Sequence, residues 1–186
     1  MTAINQSKIL IMATDGYERS ELRVPYDELM NRGADVKIVS FEKGQIASWA
    51  GKDWGDSIDA SLTLEDVNVS DFDALVIPGG QINPDVLRTS EKAVGIVDAF
   101  YKSGKIIAAI CHAPWLLVEA DLLKGRDATS YHSIRTDVKN AGANWVDREV
   151  VADNGIITSR SPKDLDAFVN KIVEEVEEGR HQRKAA

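Results

Sequence analysis

Short apolar runs alternate along the chain with stretches of helical period. Lys8–Ala13 (KILIMA), Ala74–Ile77 and Lys105–Ile110 (KIIAAI) are nearly continuous in apolar character, and Asp35–Ser40 reads as a further strand. Strands that read this way are buried on both faces of a largely parallel sheet. Between Lys8–Ala13 and Asp35–Ser40, Leu22, Tyr26, Leu29 and Met30 recur at helical spacing from about Ser20 to Arg32, with Pro25 acceptable only near the first turn and Gly33 as a C-terminal cap. A helix around Ser90–Ser103 places Ala93, Ile96, Val97 and Phe100 on one face and stops at Gly104, and another begins at Pro114 with Trp115, Leu116, Val118 and Leu122. A short strand at Ala128–Ser130, a helix near Ser133–Ala141 and a hairpin of Glu149–Asp153 with Ile156–Ser159 across Asn154-Gly155 follow. The sharpest pattern is the last helix. Ser161 stands where a cap belongs, Pro162 fits the first turn, and Leu165, Phe168, Val169, Ile172, Val173 and Val176 line one face up to Gly179. Residues 41–66 break the alternation with Gly44, Gly51, Gly55, Trp49 and Trp54, and read as a hairpin or long excursion from the sheet.

The alternation predicts one doubly wound α/β domain over residues 1–179, with 180–186 as a loose tail. With 186 residues and 44% hydrophobic content, the chain can bury a substantial core, which argues against disorder. A net charge of −8 has the wrong sign for a protein that grips phosphate backbones, so nucleic acid is a poor partner. No apolar stretch approaches the roughly 20 residues of a membrane span. The N-terminal residues lack the layout of a signal peptide, and a lone cysteine cannot form an intramolecular disulfide; both point to a reducing cytoplasm.

In an open α/β sheet, ligands bind beyond the carboxyl ends of the strands, so the loops after Lys8–Ala13, Ala74–Ile77 and Lys105–Ile110 are expected to converge on one pocket. The third loop carries Cys111, between a strand and a helix, the setting of a nucleophile elbow. A helix N-terminus there favours thiolate over thiol, although the default for an arbitrary cysteine is inert packing. His112 is a candidate general base if the turn lets its ring reach the sulfur, and a helix-start packing residue if not. Glu18, in Asp15-Gly16-Tyr17-Glu18, is either a surface acid at a helix start or a buried acid beside the sulfur. The second role requires it to be protonated and to donate to the thiolate. Gly79 and Gly80 allow backbone N–H groups to approach a substrate, and with the N–H of His112 they can receive an oxyanion. Three histidines and one cysteine show no metal-ligand spacing, and no phosphate-cradling glycine loop follows the first strand, so neither a metal nor a cofactor is expected.

Taken together, Asp15-Gly16-Tyr17-Glu18 with Glu21-Leu22, Val76-Ile77-Pro78-Gly79-Gly80, Ala109-Ile110-Cys111-His112-Ala113-Pro114, Thr129-Ser130-Tyr131 and Asn144-Trp145-Val146-Asp147 resemble the ThiJ/PfpI family, most closely its PfpI-type intracellular protease and stress-protein branch. The resemblance implies a flavodoxin-like, class I glutamine amidotransferase-like sandwich, Cys111 as nucleophile, Glu18 hydrogen-bonded to it, and homodimers or higher homo-oligomers. It also implies a third member of a Cys-His-acid triad, supplied by a neighbouring subunit from the loop after the glycine pair. Here that loop reads Gln81-Ile82-Asn83-Pro84-Asp85, and Asp85 is the matching candidate, one methylene shorter than a glutamate. The activities it implies are those of a peptidase or hydrolase, a glyoxalase or a deglycase, acting on a peptide, a small aldehyde or a glycated amine. A rival from another class is a redox-sensing or chaperone-like stress protein whose cysteine is oxidised without turnover.

Overall fold

The computed structural model describes residues 2–182. Its elements follow in the order β1 (Lys8–Met12), β2 (Tyr17–Glu18), α1 (Arg19–Asn31), β3 (Asp35–Ser40), β4 (Gly44–Ala50), β5 (Asp53–Ala60), β6 (Leu62–Thr63), β7 (Ala74–Ile77), α2 (Ile82–Leu87), α3 (Glu91–Lys102), β8 (Ile106–Ile110), α4 (Pro114–Glu119), β9 (Asp127–Ala128), α5 (Arg135–Asn140), β10 (Asn144–Trp145), β11 (Val150–Asp153), β12 (Ile156–Ser159) and α6 (Leu165–Glu178). The main sheet has seven strands in the order β11-β12-β8-β7-β1-β3-β6, parallel except for the edge strand β11. It is the mostly parallel, helix-covered sheet of the flavodoxin-like, class I glutamine amidotransferase-like fold.

Side-chain alternation explains why the central strands carry no polar face. In β1, Ile9 and Ile11 point into a core shared with Leu22 and Leu29 of α1 and Phe168 and Ile172 of α6, whereas Leu10 and Met12 point into a second core with Val97 and Phe100 of α3 and Leu116 and Leu117 of α4. Successive residues of a strand face opposite sides, so a sheet covered on both sides needs apolar residues at every position. β8 repeats the arrangement, with Ile106, Ala108 and Ile110 on one side and Ile107 and Ala109 on the other.

The irregular 41–66 region supplies β4 and β5, which form a separate three-stranded sheet with β2 in the order β2-β4-β5, and its end, β6, returns to the main sheet; Trp49 and Trp54 are cross-strand partners with ring centroids 5.6 Å apart at 82°. Three sequence expectations change. The segment after the glycine pair is not a plain loop but the one-and-a-half-turn helix α2. Ser161 makes no side-chain cap, because a 3₁₀ turn over Pro162–Asp164 precedes α6. The predicted loose tail is tied down where it is described: the His181 N–H donates to the Gly104 carbonyl at 2.9 Å, and residues 183–186 lie outside the described region. Among the described residues, no helix is long and apolar enough to cross a membrane.

Candidate active site

The three loops do meet. A cavity of about 360 Å³ is lined by Gly16, Glu18 and Glu21 from the first, Gly80 and Ile82 from the second, and Cys111 and His112 from the third, with Trp49 and Tyr131 closing its sides. Its volume suits a small substrate or the end of a side chain.

Cys111 sits at a sharp elbow with φ of +65°, a conformation that few non-glycine residues adopt. The surroundings hold it there. Its N–H donates to the Ser159 carbonyl of β12 at 3.0 Å, and its own carbonyl accepts from the Tyr131 N–H at 2.8 Å. Strain of this kind persists only where neighbours over-determine it, and it gathers at functional sites. The turn also answers whether His112 can face the sulfur of its neighbour in sequence: Nδ1 lies 3.2 Å from Cys111 Sγ. The His112 ring is stacked on Tyr131, centroids 4.8 Å apart at 28°, and Nε2 lies 3.1 Å from Ser133 Oγ.

The acid beside the thiol is Glu21, which corrects the expectation for Glu18. Glu18 is the N-cap of α1; its Oε2 accepts from the Glu21 N–H at 2.8 Å and from Ser20 Oγ at 2.6 Å. A cap carboxylate must face the first turn's free N–H groups, so Glu18 borders the cavity while its charge is committed to the helix. Glu21, three residues on, falls on the buried face of α1 with Leu22, Pro25 and Leu29, and has no exposed surface. Its Oε2 accepts from the Gly79 N–H at 2.8 Å, its Oε1 has no nitrogen or oxygen partner among the described residues, and its carboxyl is within hydrogen-bonding reach of the thiol. The sequence did hold a signal for this. Glu18 and Glu21 have the i, i+3 spacing of a capping pair, and only the second shares a face with the apolar positions of the helix.

The glycine pair is required for close approach. A Cβ on Gly79 would stand 2.5 Å from Glu21 Oε2 and 2.6 Å from Cys111 Cβ, and Gly80 has φ of +82°, where a Cβ would stand 2.5 Å from the Gly16 carbonyl oxygen. The backbone N–H groups of Gly80 and His112 favour the charged form of the sulfur. Asn83, a residue the sequence did not single out, staples this loop to the first. Its Oδ1 accepts from the Thr14 N–H at 2.8 Å and its Nδ2 donates to the Pro78 carbonyl at 2.8 Å, all of it buried.

Burial sets the charge of the site. It pushes the Glu21 carboxyl up to about 8, with the Glu18 charge adding to the rise. It also pushes the Cys111 thiol up, and Glu21 adds to that, while the Gly80 and His112 N–H groups pull the other way. The elbow alone led us to expect a lowered thiol. α4 is only six residues long, however, and its N-terminus is outweighed by burial and a neighbouring acid. His112 is lowered by burial and then by His132, and therefore stands as a neutral base near pH 7.

Asp85 lies exposed on α2, and among the described residues no hydrogen bond joins it to His112, whose Nε2 meets Ser133 instead. Among the described residues one cluster of metal-ligand type occurs, Glu175, Glu178 and His181, with ligand atoms within 4.8 Å of one another. It lies at the opposite end of the sheet from the thiol, and Glu175 and His181 already face each other at 2.9 Å.

Residues 7–175 match the family model described as DJ-1/PfpI family. The chain is 46% identical over 166 residues to the deglycase PfpI of Pyrococcus furiosus, covering 89% of this chain and 97% of that one. It is 43% identical over 161 residues to the putative cysteine protease YraA of Bacillus subtilis (87% and 93%), and 42% identical over 162 residues to general stress protein 18 of the same organism (87% and 92%). Among solved structures it superimposes, with a TM-score of 0.87 and 35% identity over 92% of its length, on a two-domain protein from Anabaena variabilis that contains DJ-1/ThiJ/PfpI-like and ferritin-like domains. It spans 48% of that chain.

Proposed function

The chain belongs to the DJ-1/PfpI family, and we propose that it is a cysteine-dependent stress enzyme of the PfpI kind, a deglycase or hydrolase whose first step is addition of the Cys111 thiol to a carbonyl. The observation that carries this reading is the meeting, in one small cavity, of a strained cysteine, a histidine 3.2 Å from its sulfur and a buried acid. A raised thiol beside a lowered imidazole is a thiol that gives up its proton as it reacts. Sulfur bonds to the carbonyl carbon, the thiol proton passes to His112 Nδ1, and the carbonyl electron pair moves to oxygen, which the N–H groups of Gly80 and His112 can receive. The imidazolium then returns its proton to that oxygen, or, where the carbonyl is an amide, to the nitrogen as the C–N bond breaks and the oxyanion re-forms the carbonyl, leaving a thioester that water hydrolyses. Glu21 stays neutral through the step. Its otherwise unpartnered Oε1 has the sulfur to donate to, and it adds no second negative charge to a buried site.

The relatives named deglycase favour glycated amines as the substrate class, and a free small aldehyde, the glyoxalase case, is open to the same addition. A cavity of this size takes a modified side chain more readily than a folded segment. The exposed apolar residues Ile82 and Val86 flank Asp85 on α2 and support a subunit contact there, as in a homodimer, with Asp85 brought to a neighbour's site. A cytoplasmic location accords with the single thiol remaining reduced.

The test is turnover of a methylglyoxal-glycated amine, free methylglyoxal and a peptide by the wild type and by Cys111→Ala, with circular dichroism to confirm the fold and a buffer control for reversible aldehyde adducts. Loss of all turnover in the variant is expected, and undiminished turnover contradicts the mechanism. Peroxide oxidation at Cys111 in a wild type that turns over none of the three would support the redox-sensing reading in its place.

A further inference from the structure

We propose that Ser133 is a positioning residue for the site, accepting from His112 Nε2–H and so holding the ring with Nδ1 toward the thiol whose proton it takes. The inference rests on the reading of Cys111 and His112 given above. Neutral imidazole carries one N–H, and which nitrogen bears it is set by the partner of the other. A serine hydroxyl can donate or accept, so the choice falls to the other nitrogen: a Cys111 S–H donating to Nδ1, 3.2 Å away, requires the hydrogen at Nε2, and Ser133 Oγ, 3.1 Å from Nε2, accepts it. When the thiol proton reaches Nδ1, both ring nitrogens carry hydrogen and the Ser133 oxygen remains the acceptor at Nε2. No other proton moves.

The surroundings fix this geometry independently. Tyr131 is tied through its N–H to the Cys111 carbonyl, stacks its ring on His112, and leads directly into the 3₁₀ turn His132–Ile134 that carries Ser133. Trp115 is tilted against the same ring, centroids 5.3 Å apart. The titratable groups around His112 are Cys111, Glu18 and Glu21 in the cavity, Tyr131 stacked on the ring and His132 beside it.

Ser133→Ala, Ser133→Thr and Asp85→Asn would be compared in steady-state turnover and in the pH profile of Cys111 alkylation by iodoacetamide. A lost neutral hydrogen bond corresponds to roughly a five- to tenfold effect. Ser133→Ala is expected to lower kcat by that factor, with KM within about twofold. It should slow alkylation near pH 7 to a similar degree, and Ser133→Thr should restore both. An unchanged alkylation profile in Ser133→Ala, or a loss in Asp85→Asn with none in Ser133→Ala, would overturn the proposal. Absence of wild-type turnover would count against the enzymatic reading alone, because alkylation reports the Cys-His pair without it.

Discussion

The two ends of β8 bury ionisable groups in opposite ways. Just before the strand, Lys105 is 4% exposed and its ammonium donates to the Val69 and Phe72 carbonyls. Just after it, Cys111 is 5% exposed and lies against a wholly buried Glu21, with backbone at positive φ and one carboxyl oxygen left without a nitrogen or oxygen partner. Cavity size does not separate them, at about 310 Å³ beside Lys105 and about 360 Å³ beside Cys111. Partnering does. A buried cation that donates to fixed carbonyls is held in one state and can do little but pin the loop beneath the sheet. Two acids confined together cannot both ionise, so the Cys111 end keeps a proton that chemistry can move.

That contrast can be broken by substitution, and the largest effect should come from Glu21. Its carboxyl is raised from 4.5 to about 8 by folding. Between those pH values the unfolded chain has released the proton and the folded chain has not, so stability is lost as pH rises through that window and is flat beyond it. Relative to Glu21→Gln, the wild type is expected to lose on the order of 4 kcal/mol of unfolding free energy between pH 5 and 8, from about 1.4 kcal/mol per unit. Urea denaturation at several pH values measures this, and parallel curves would show that Glu21 ionises normally. Lys105→Met should lower stability by about 1–3 kcal/mol, through loss of the ammonium's hydrogen bonds to the Phe72 and Val69 carbonyls, of which Val69 keeps the Phe72 N–H, and leave kcat of the folded enzyme unchanged. A fall in kcat would show that the two ends are coupled. Smallest is Glu18→Ala, expected to lower stability by about 1 kcal/mol as the loss of a helix cap.

The sheet was legible from the sequence because each central strand is a local run whose burial follows from its own composition. The elbow was legible for the same reason: Ile106–Ile110 ends where Pro114 opens a helix, and Cys111 stands between them. The acid was not. Glu18 and Glu21 differ by three residues, and choosing between them depends on which one starts α1. Propensity fixes such a boundary only to within a residue or two. α2 escaped because six residues give no periodicity to read, and Asn83 and Ser133 because their hydrogen bonds cross 69 and 21 residues of sequence. The lowering expected for the Cys111 thiol failed for a related reason, since a helix start is visible in sequence while the burial and the acid that oppose it are tertiary.

The central claim is that the thiol's acid partner is Glu21, kept neutral by burial. Infrared difference spectroscopy reads it directly, because a protonated carboxyl has a carbonyl stretch distinct from that of carboxylate. At pH 7 the wild type and Glu18→Ala should both show a protonated-carboxyl band that Glu21→Gln lacks, and in the wild type it should fade as pH rises through about 8. A band that persists in Glu21→Gln and vanishes in Glu18→Ala would contradict the account.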